Sequence, residues 1–276
     1  MPNPSTGRAT AFVARASFHS GPAAARCRTP VSSTLGVMKK PSLSVAIPAH
    51  NEERYIARCL ESIALSARLA SQHVEVVVAL NRCSDRTQQI AESLGARCVV
   101  EDARCIAAVR NAAVRATSAA AVATLDADSW MSPNTVSAIV RNVYATRYIG
   151  GGAVIWPERI SVGIFFSLLA IAPYVLKRGV SAGMFWFLRE SFDAIGGFDE
   201  SLVSVEDIDF ALRLKAFGKA HHRRYGTIRR HGITTSCRKF DTFGDWYLFR
   251  NPRLVKELFE GTNARAASHF YYDVKR

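Results

Sequence analysis

Three apolar runs, LSVAIPA (Leu43–Ala49), VEVVVAL (Val74–Leu80) and AAVATL (120–125), each lead straight into a polar loop: PAHNEE, NRCSDRT and DADSW. Strands that read as continuous hydrophobic runs belong in sheets covered on both faces. Between them the chain turns helical. In EERYIARCLESIALSARLA the residues Ile56, Leu60, Ile63 and Leu65 recur near helical spacing, and RTQQIAESL and IAAVRNAAVRAT continue the alternation around a further short strand, ARCVVE. Four strands alternating with helices predict an α/β chain whose first half is Rossmann-like, with a mostly parallel sheet. The second half is less regular: a strand GGGAVIW, the aromatic AGMFWFLRE, a turn IGGFDE, a helix VEDIDFALRLKAFG and a basic HHRRYGTIRRH. It predicts a smaller part of mixed sheet and helices. The expected boundaries are a basic tail over 1–40, a domain over 41–250 and a C-terminal extension over 251–276 packed on it.

In such sheets ligands bind beyond the carboxyl ends of the strands, so the three polar loops are expected to converge on one crevice. Two of their residues are conspicuous. Asp126 and Asp128 set like charges one residue apart where a buried strand ends, an arrangement that calls for something positive. Carboxylate oxygens suit a hard cation, Mg2+ or Mn2+, which fills its remaining positions with water and phosphate. A polar turn is the other reading. Asn51, Glu52, Glu53 and Asp85 offer acceptors to a base and ribose, or else cap and charge-balance helix N-termini. Arg110 and Asn111, ahead of the strand that carries the two Asp, place a cation where phosphate would lie.

Further on, Glu206, Asp207 and Asp209 crowd one short segment, and mutual repulsion is expected to raise one member's pKa. Asp207 in reach of an acceptor hydroxyl would be a general base. The alternative is structural: Ser204 three residues before Asp207 resembles a capping box. Phe185, Trp186 and Phe187 offer either an acceptor platform, with Trp186 its centre, or ordinary core packing.

Composition narrows the classes. The chain has 276 residues, 49% of them hydrophobic, enough for a sizeable core. Its six cysteines show neither a C-x-x-C pair nor regular spacing, so no zinc site or disulfide framework is indicated, and a reducing compartment is the default. Much of the formal charge of +13 lies in the first 40 residues, which hold six basic side chains and no acid. That tail reads as disordered or upstream of a start at Met38, with targeting or polyanion binding as the alternatives. The first strand is not followed by G-x-G-x-x-G, which argues against a dinucleotide-dependent oxidoreductase. Ile160 to Leu176 runs without charge but is short for a bilayer span and contains Pro173, leaving a core helix, a subunit contact or a membrane-surface helix.

Taken together, SVAIPAHNEE, NRCSDRT, VRNAA, LDADS, GGFDE and VEDIDFALR resemble, in order, the family 2 glycosyltransferases of the GT-A fold, over roughly residues 43 to 218. The resemblance implies an inverting, hexosyltransferase-like enzyme that uses a nucleotide-diphospho-sugar, a UDP- or GDP-sugar, with Mg2+ or Mn2+, and an acceptor hydroxyl left unspecified. By this likeness Pro48, Ala49, Glu52 and Asp85 border the nucleoside, Arg110 borders the donor, Asp126 meets ribose and metal-diphosphate, and Asp128 binds the metal. Asp207, with Glu206 beside it, matches the catalytic base. His231 is the candidate second metal ligand, or else a solvated or core histidine. Arg82 stands where the family usually carries an acid, and no Q-x-x-R-W segment marks a processive synthase. A cytoplasmic enzyme is expected, at the inner face of the membrane if it is peripherally attached, with no nucleic-acid partner. A non-catalytic sugar-nucleotide-binding protein of the same fold is the runner-up.

Overall fold

In the computed structural model, which describes residues 40–181, 183–202 and 205–260, β1 (Leu43–Ala49) is buried along its whole length. It is followed by α1 (Ile56–Leu69), β2 (Val74–Leu80), α2 (Thr87–Ser93), β3 (Arg97–Val100), α3 (Ile106–Ala116) and β4 (Ala121–Leu125). β1 pairs in parallel with both β2 and β4, and β3 extends the sheet beyond β2. The chain therefore builds outward from β1 to β3 and then returns to the other side of β1 with β4. That reversal between β1 and β4 is the switch point at which an open α/β sheet leaves a crevice.

The second half reads β5 (Ser129–Met131), α4 (Thr135–Val143), β6 (Tyr148–Pro157), α5 (Val162–Arg178), β7 (Met184–Leu188), α6 (Arg189–Ala194), α7 (Glu206–Ala220) and β8 (Arg224–Thr235). The chain continues into α8 (Arg238–Phe243), α9 (Tyr247–Arg250) and α10 (Pro252–Glu260). Among the described residues the sheet has eight strands in the order β3-β2-β1-β4-β7-β6-β8-β5. β7 runs antiparallel to β4 and β6, β8 is parallel to β6, and β5 closes the edge antiparallel to β8. The mixed α/β sheet expected from the sequence is present.

Apolar side chains cover both faces. One core joins Ile47, Ile56, Ile63, Val78, Leu125 and Ile139. The other is aromatic, built from Phe185, Phe187, Phe192, Phe198 and Phe210, with Phe198 and Phe210 stacked at 4.2 Å between ring centroids. Leu248, Val255 and Leu258 form a smaller cluster with Ile171 and Tyr174 of α5, so α10 packs on that helix.

Trp186 is fully buried, and so are Phe185 and Phe187. The acceptor platform expected at Trp186 is thereby corrected: its indole Nε1 donates to the Gly152 carbonyl at 3.0 Å inside the sheet. Glycines make the room. Gly151 and Gly226 face each other across β6 and β8, and a Cβ on either would stand 2.6 Å from the indole. A side chain on Gly151 would also come within 2.1 Å of the Gly226 carbonyl oxygen.

The basic HHRRYGTIRRH segment, which carried no element assignment in the sequence, supplies most of β8. Ser204 lies outside the described residues, as do residues 1–39 and 261–276, so the tail and the capping-box serine have no structural account. No helix among the described residues is long and apolar enough to cross a membrane.

Candidate active site

The loops after β1 and β2 are laced together by their own acids. The backbone amide of Glu53 donates to Asp85 Oδ2 at 3.0 Å, while Asp85 Oδ1 accepts from the Thr87 hydroxyl at 2.5 Å and the Thr87 amide at 3.0 Å. Burial alone would raise the Asp85 pKa, but these hydrogen bonds outweigh it and hold the carboxyl below its ordinary value. The Thr87 hydroxyl in turn accepts from the Glu52 amide at 2.8 Å. Asn51 sits in the left-handed region at φ 52°, and its Oδ1 accepts from the Ser84 amide at 2.8 Å. Asp85 thus ties the loop after β1 to the first residue of α2. Pro48 and Ala49 are buried at the end of β1, where the Ala49 carbonyl accepts from the Asn81 amide at 2.8 Å.

α3 carries the Arg-Asn pair, and its two side chains serve different ends. Asn111 pins the GGFDE turn: its Oδ1 accepts from the Phe198 amide at 2.9 Å and its Nδ2 donates to the Phe198 carbonyl at 2.9 Å. Gly197 in that turn has φ +71°, and a Cβ there would stand 2.7 Å from Asn111 Oδ1. Arg110 faces the crevice. One Nη donates to Asp126 Oδ1 at 2.8 Å, and the other lies 3.9 Å from Glu206 Oε1. Its side chain is 9% exposed and lies beside the Phe198 ring. Burial raises the Asp126 pKa; Arg110 opposes the shift and Asp128 reinforces it.

Glu206 and Asp207 open α7, with acids at three of its first four positions. Negative charge is favourable there against the helix dipole. The N-cap, Val205, is itself left-handed at φ 61° and makes no side-chain cap. The repulsion expected among the acids falls on Glu206: burial first, then the Asp207 charge, push its pKa up. Asp207 is less buried, and its Oδ1 accepts from the Ile208 amide at 2.7 Å. Asp209 turns away to Arg213 at 2.7 Å.

Asp128 is met from the C-terminal side. Its carbonyl accepts from the Ser236 amide and its Oδ2 from the Ser236 hydroxyl, both at 2.9 Å. Arg238 Nε stands 3.0 Å from the same Oδ2, and Arg238 Nη1 donates to both oxygens of Glu52 at 2.9 and 2.8 Å. Lys239 follows, its pKa brought down to about 8 by burial although the Asp128 charge works the other way. The three-residue β5 makes this possible. It pairs Ser129 with Thr235 and so delivers the end of β8 to the Asp pair. Arg238, Lys239 and Ser236 were not anticipated as site residues. The signal was a basic pair directly after a strand, opposite two acids with too few cations.

Two networks therefore converge at the switch point: Asp126 to Arg110 to Glu206, and Glu52 to Arg238 to Asp128. His231 is not among them. It lies in the irregular stretch of β8 between Ile228 and Ile233, where its carbonyl accepts from the Thr135 hydroxyl at 3.0 Å. No group of three His, Cys, Asp or Glu among the described residues is placed to hold an ion. The oxygens of Asp126 and Asp128 fit a hard divalent cation only as a partial set, one that takes its other ligands from water and a diphosphate.

The chain belongs to glycosyl transferase family 2, whose family model matches residues 44–196. It is 25% identical over 217 residues to a chondroitin synthase of Pasteurella multocida, covering 73% of this chain and 22% of that one. This chain thus spans about a fifth of the length of that relative. Among solved structures, Staphylococcus aureus TarS 1–349 in complex with UDP-GlcNAc superposes with a TM-score of 0.55 at 19% identity, over 70% of this chain and 58% of that one. The mannosyltransferase PcManGT from Pyrobaculum calidifontis, in complex with GDP-Man and Mn2+, gives 0.54 at 18% identity, over 85% and 71%. At these identities the likeness is one of fold, the GT-A arrangement.

Proposed function

We propose that the protein transfers a sugar from a nucleotide-diphospho-sugar, a UDP- or GDP-sugar, to an acceptor hydroxyl with inversion at the anomeric carbon. The observation that carries this reading is Arg110, which joins the first Asp of the D-x-D segment to the Glu-Asp segment across the switch-point crevice. Two structural neighbours, one in complex with UDP-GlcNAc and the other with GDP-Man and Mn2+, support it.

In this reading Pro48, Ala49, Glu52 and Asp85 border the nucleoside and Asp126 the ribose. Asp128, with Asp126, would hold Mg2+ or Mn2+, which when bound supplies positive charge to the departing diphosphate. Asp207 takes the proton from the acceptor hydroxyl as that oxygen attacks the anomeric carbon from the face opposite the diphosphate. The new C–O bond forms as the bond to the diphosphate breaks, and a nucleoside diphosphate leaves. Arg110 and Lys239 lie in range of the same acids and offset the negative charge that the diphosphate brings.

The test follows nucleoside diphosphate release and glycoside formation from a panel of UDP- and GDP-sugars with Mn2+. Asp207→Asn is expected to abolish transfer while leaving donor binding largely intact; transfer at the parent rate in that variant would remove the base assignment. Donor turnover by the parent also separates this reading from a non-catalytic binder of the same fold.

We infer in addition a peripheral contact with the cytoplasmic face of a membrane. Val162, Phe165, Leu169 and Leu176 are exposed along α5 at helical spacing, and the helix ends in Lys177 and Arg178. An apolar stripe ending in cations suits an anionic lipid surface.

A further inference from the structure

Arg238 begins α8 and is the side chain through which the C-terminal segment enters the site. Three groups surround it: Glu52, which takes Nη1 on both oxygens; Asp128, 3.0 Å from Nε; and the Tyr55 ring, 5.7 Å from the guanidinium carbon. The side chain is 14% exposed, and those of Glu52 and Asp128 are 5% and 12% exposed. The two contacts differ in kind. The link to Glu52 is a pair of good hydrogen bonds, whereas buried Nε makes none, so its approach to Asp128 is a charge contact without hydrogen-bond geometry. Arg238 is anchored on Glu52 and leans on Asp128.

Within the donor-site reading above, Asp128 is the carboxylate through which a divalent ion would be held. Its charge is already offset from inside the protein, and by a group whose hold on it is the weaker of its two. A guanidinium and a divalent cation on one carboxylate oxygen repel each other strongly in a site this dry.

We propose that Arg238 is a resident counter-cation that competes with the divalent ion for Asp128. Ion binding requires the guanidinium to leave Asp128 while Glu52 keeps it at the crevice, where the diphosphate becomes its next partner. Metal and donor then enter together, because the anion that arrives with the sugar re-pairs the charge that the metal displaces.

The experiment titrates Mn2+ alone into the full chain and reads the free ion by its electron paramagnetic resonance signal. Arg238→Gln is expected to bind Mn2+ at least about thirtyfold tighter than the parent, the scale of one unit charge removed about 4 Å from a divalent ion even at the dielectric of water, and so a floor for a site this dry. Adding Asp128→Asn is expected to erase the gain. Since Arg238→Gln strips the buried Glu52 carboxylate of its guanidinium, a neutral pair serves as second variant: Glu52→Gln/Arg238→Gln is expected to bind Mn2+ tighter than Glu52→Gln alone by the same factor. Equal or weaker binding in both comparisons, or no Mn2+ binding in any of these proteins, overturns the proposal. UDP and GDP titrated with Mn2+ into the parent report separately on the donor-site reading: absence of nucleotide binding there, alongside the Mn2+ gain, would sink that reading and leave the competition at Asp128 standing.

Discussion

Arg110 donates a 2.8 Å hydrogen bond to Asp126. The bond matters because the two residues come from α3 and the end of β4, and the same guanidinium also faces Glu206 of α7. One nearly buried cation thus holds together the acids of two separate segments. Arg110→Met is expected to lose about 3 kcal/mol, the low end of what stripping a partner from a buried ion pair costs, since the Asp126 side chain is 39% exposed. Urea unfolding measures it. Arg110→Lys, which keeps the charge but not the fork, should recover stability in part and donor binding less.

Glu206 gives the protein a signature in pH. Its native pKa lies above the ordinary 4.5, through burial and the Asp207 charge, so between those two values the folded state binds more protons than the unfolded one. The stabilising contribution is complete below pH 4.5 and is lost as pH rises through the raised native value. Glu206→Gln should therefore flatten the fall in stability on the alkaline side of that window. Chemical denaturation at a series of pH values checks the slope.

Much of this was legible in the chain. β1, β2 and β4 are apolar runs that lead into polar, acid-bearing loops, and a parallel sheet with those loops at one edge follows from that pattern. What the pattern hides is long-range pairing. β5 has three residues and no periodicity to read, yet it brings Ser236 and Arg238 to Asp128 from more than a hundred positions away. The aromatic run failed for a related reason, because glycines at 151 and 226, distant in the chain, open the space that swallows Trp186.

Trp186→Ala is accordingly a stability variant. Loss of a fully buried indole and its hydrogen bond to Gly152 is expected to cost about 3–5 kcal/mol, while the acceptor KM of the folded fraction stays at the parent value. Gly151→Ala should be destabilising as well, because the Gly226 carbonyl blocks the new methyl group. Thermal unfolding and steady-state kinetics on the same preparations distinguish a core tryptophan from an acceptor-binding one.

The stripe on α5 makes a prediction of its own. Phe165→Asp and Leu169→Asp, both at exposed positions, should leave folding intact and reduce co-sedimentation with vesicles containing phosphatidylserine by about tenfold, each removing apolar area from the lipid contact and adding a charge that anionic lipid repels. Sedimentation equal to the parent's would assign the stripe to something other than lipid.

The most direct test is calorimetric titration of UDP and GDP into the parent and into Asp128→Ala, each with and without Mn2+. If the switch-point crevice is the donor site, at least one nucleotide binds the parent, Mn2+ tightens that binding, and Asp128→Ala removes the Mn2+ dependence. Identical nucleotide binding by the two proteins, or none by either, would contradict the account.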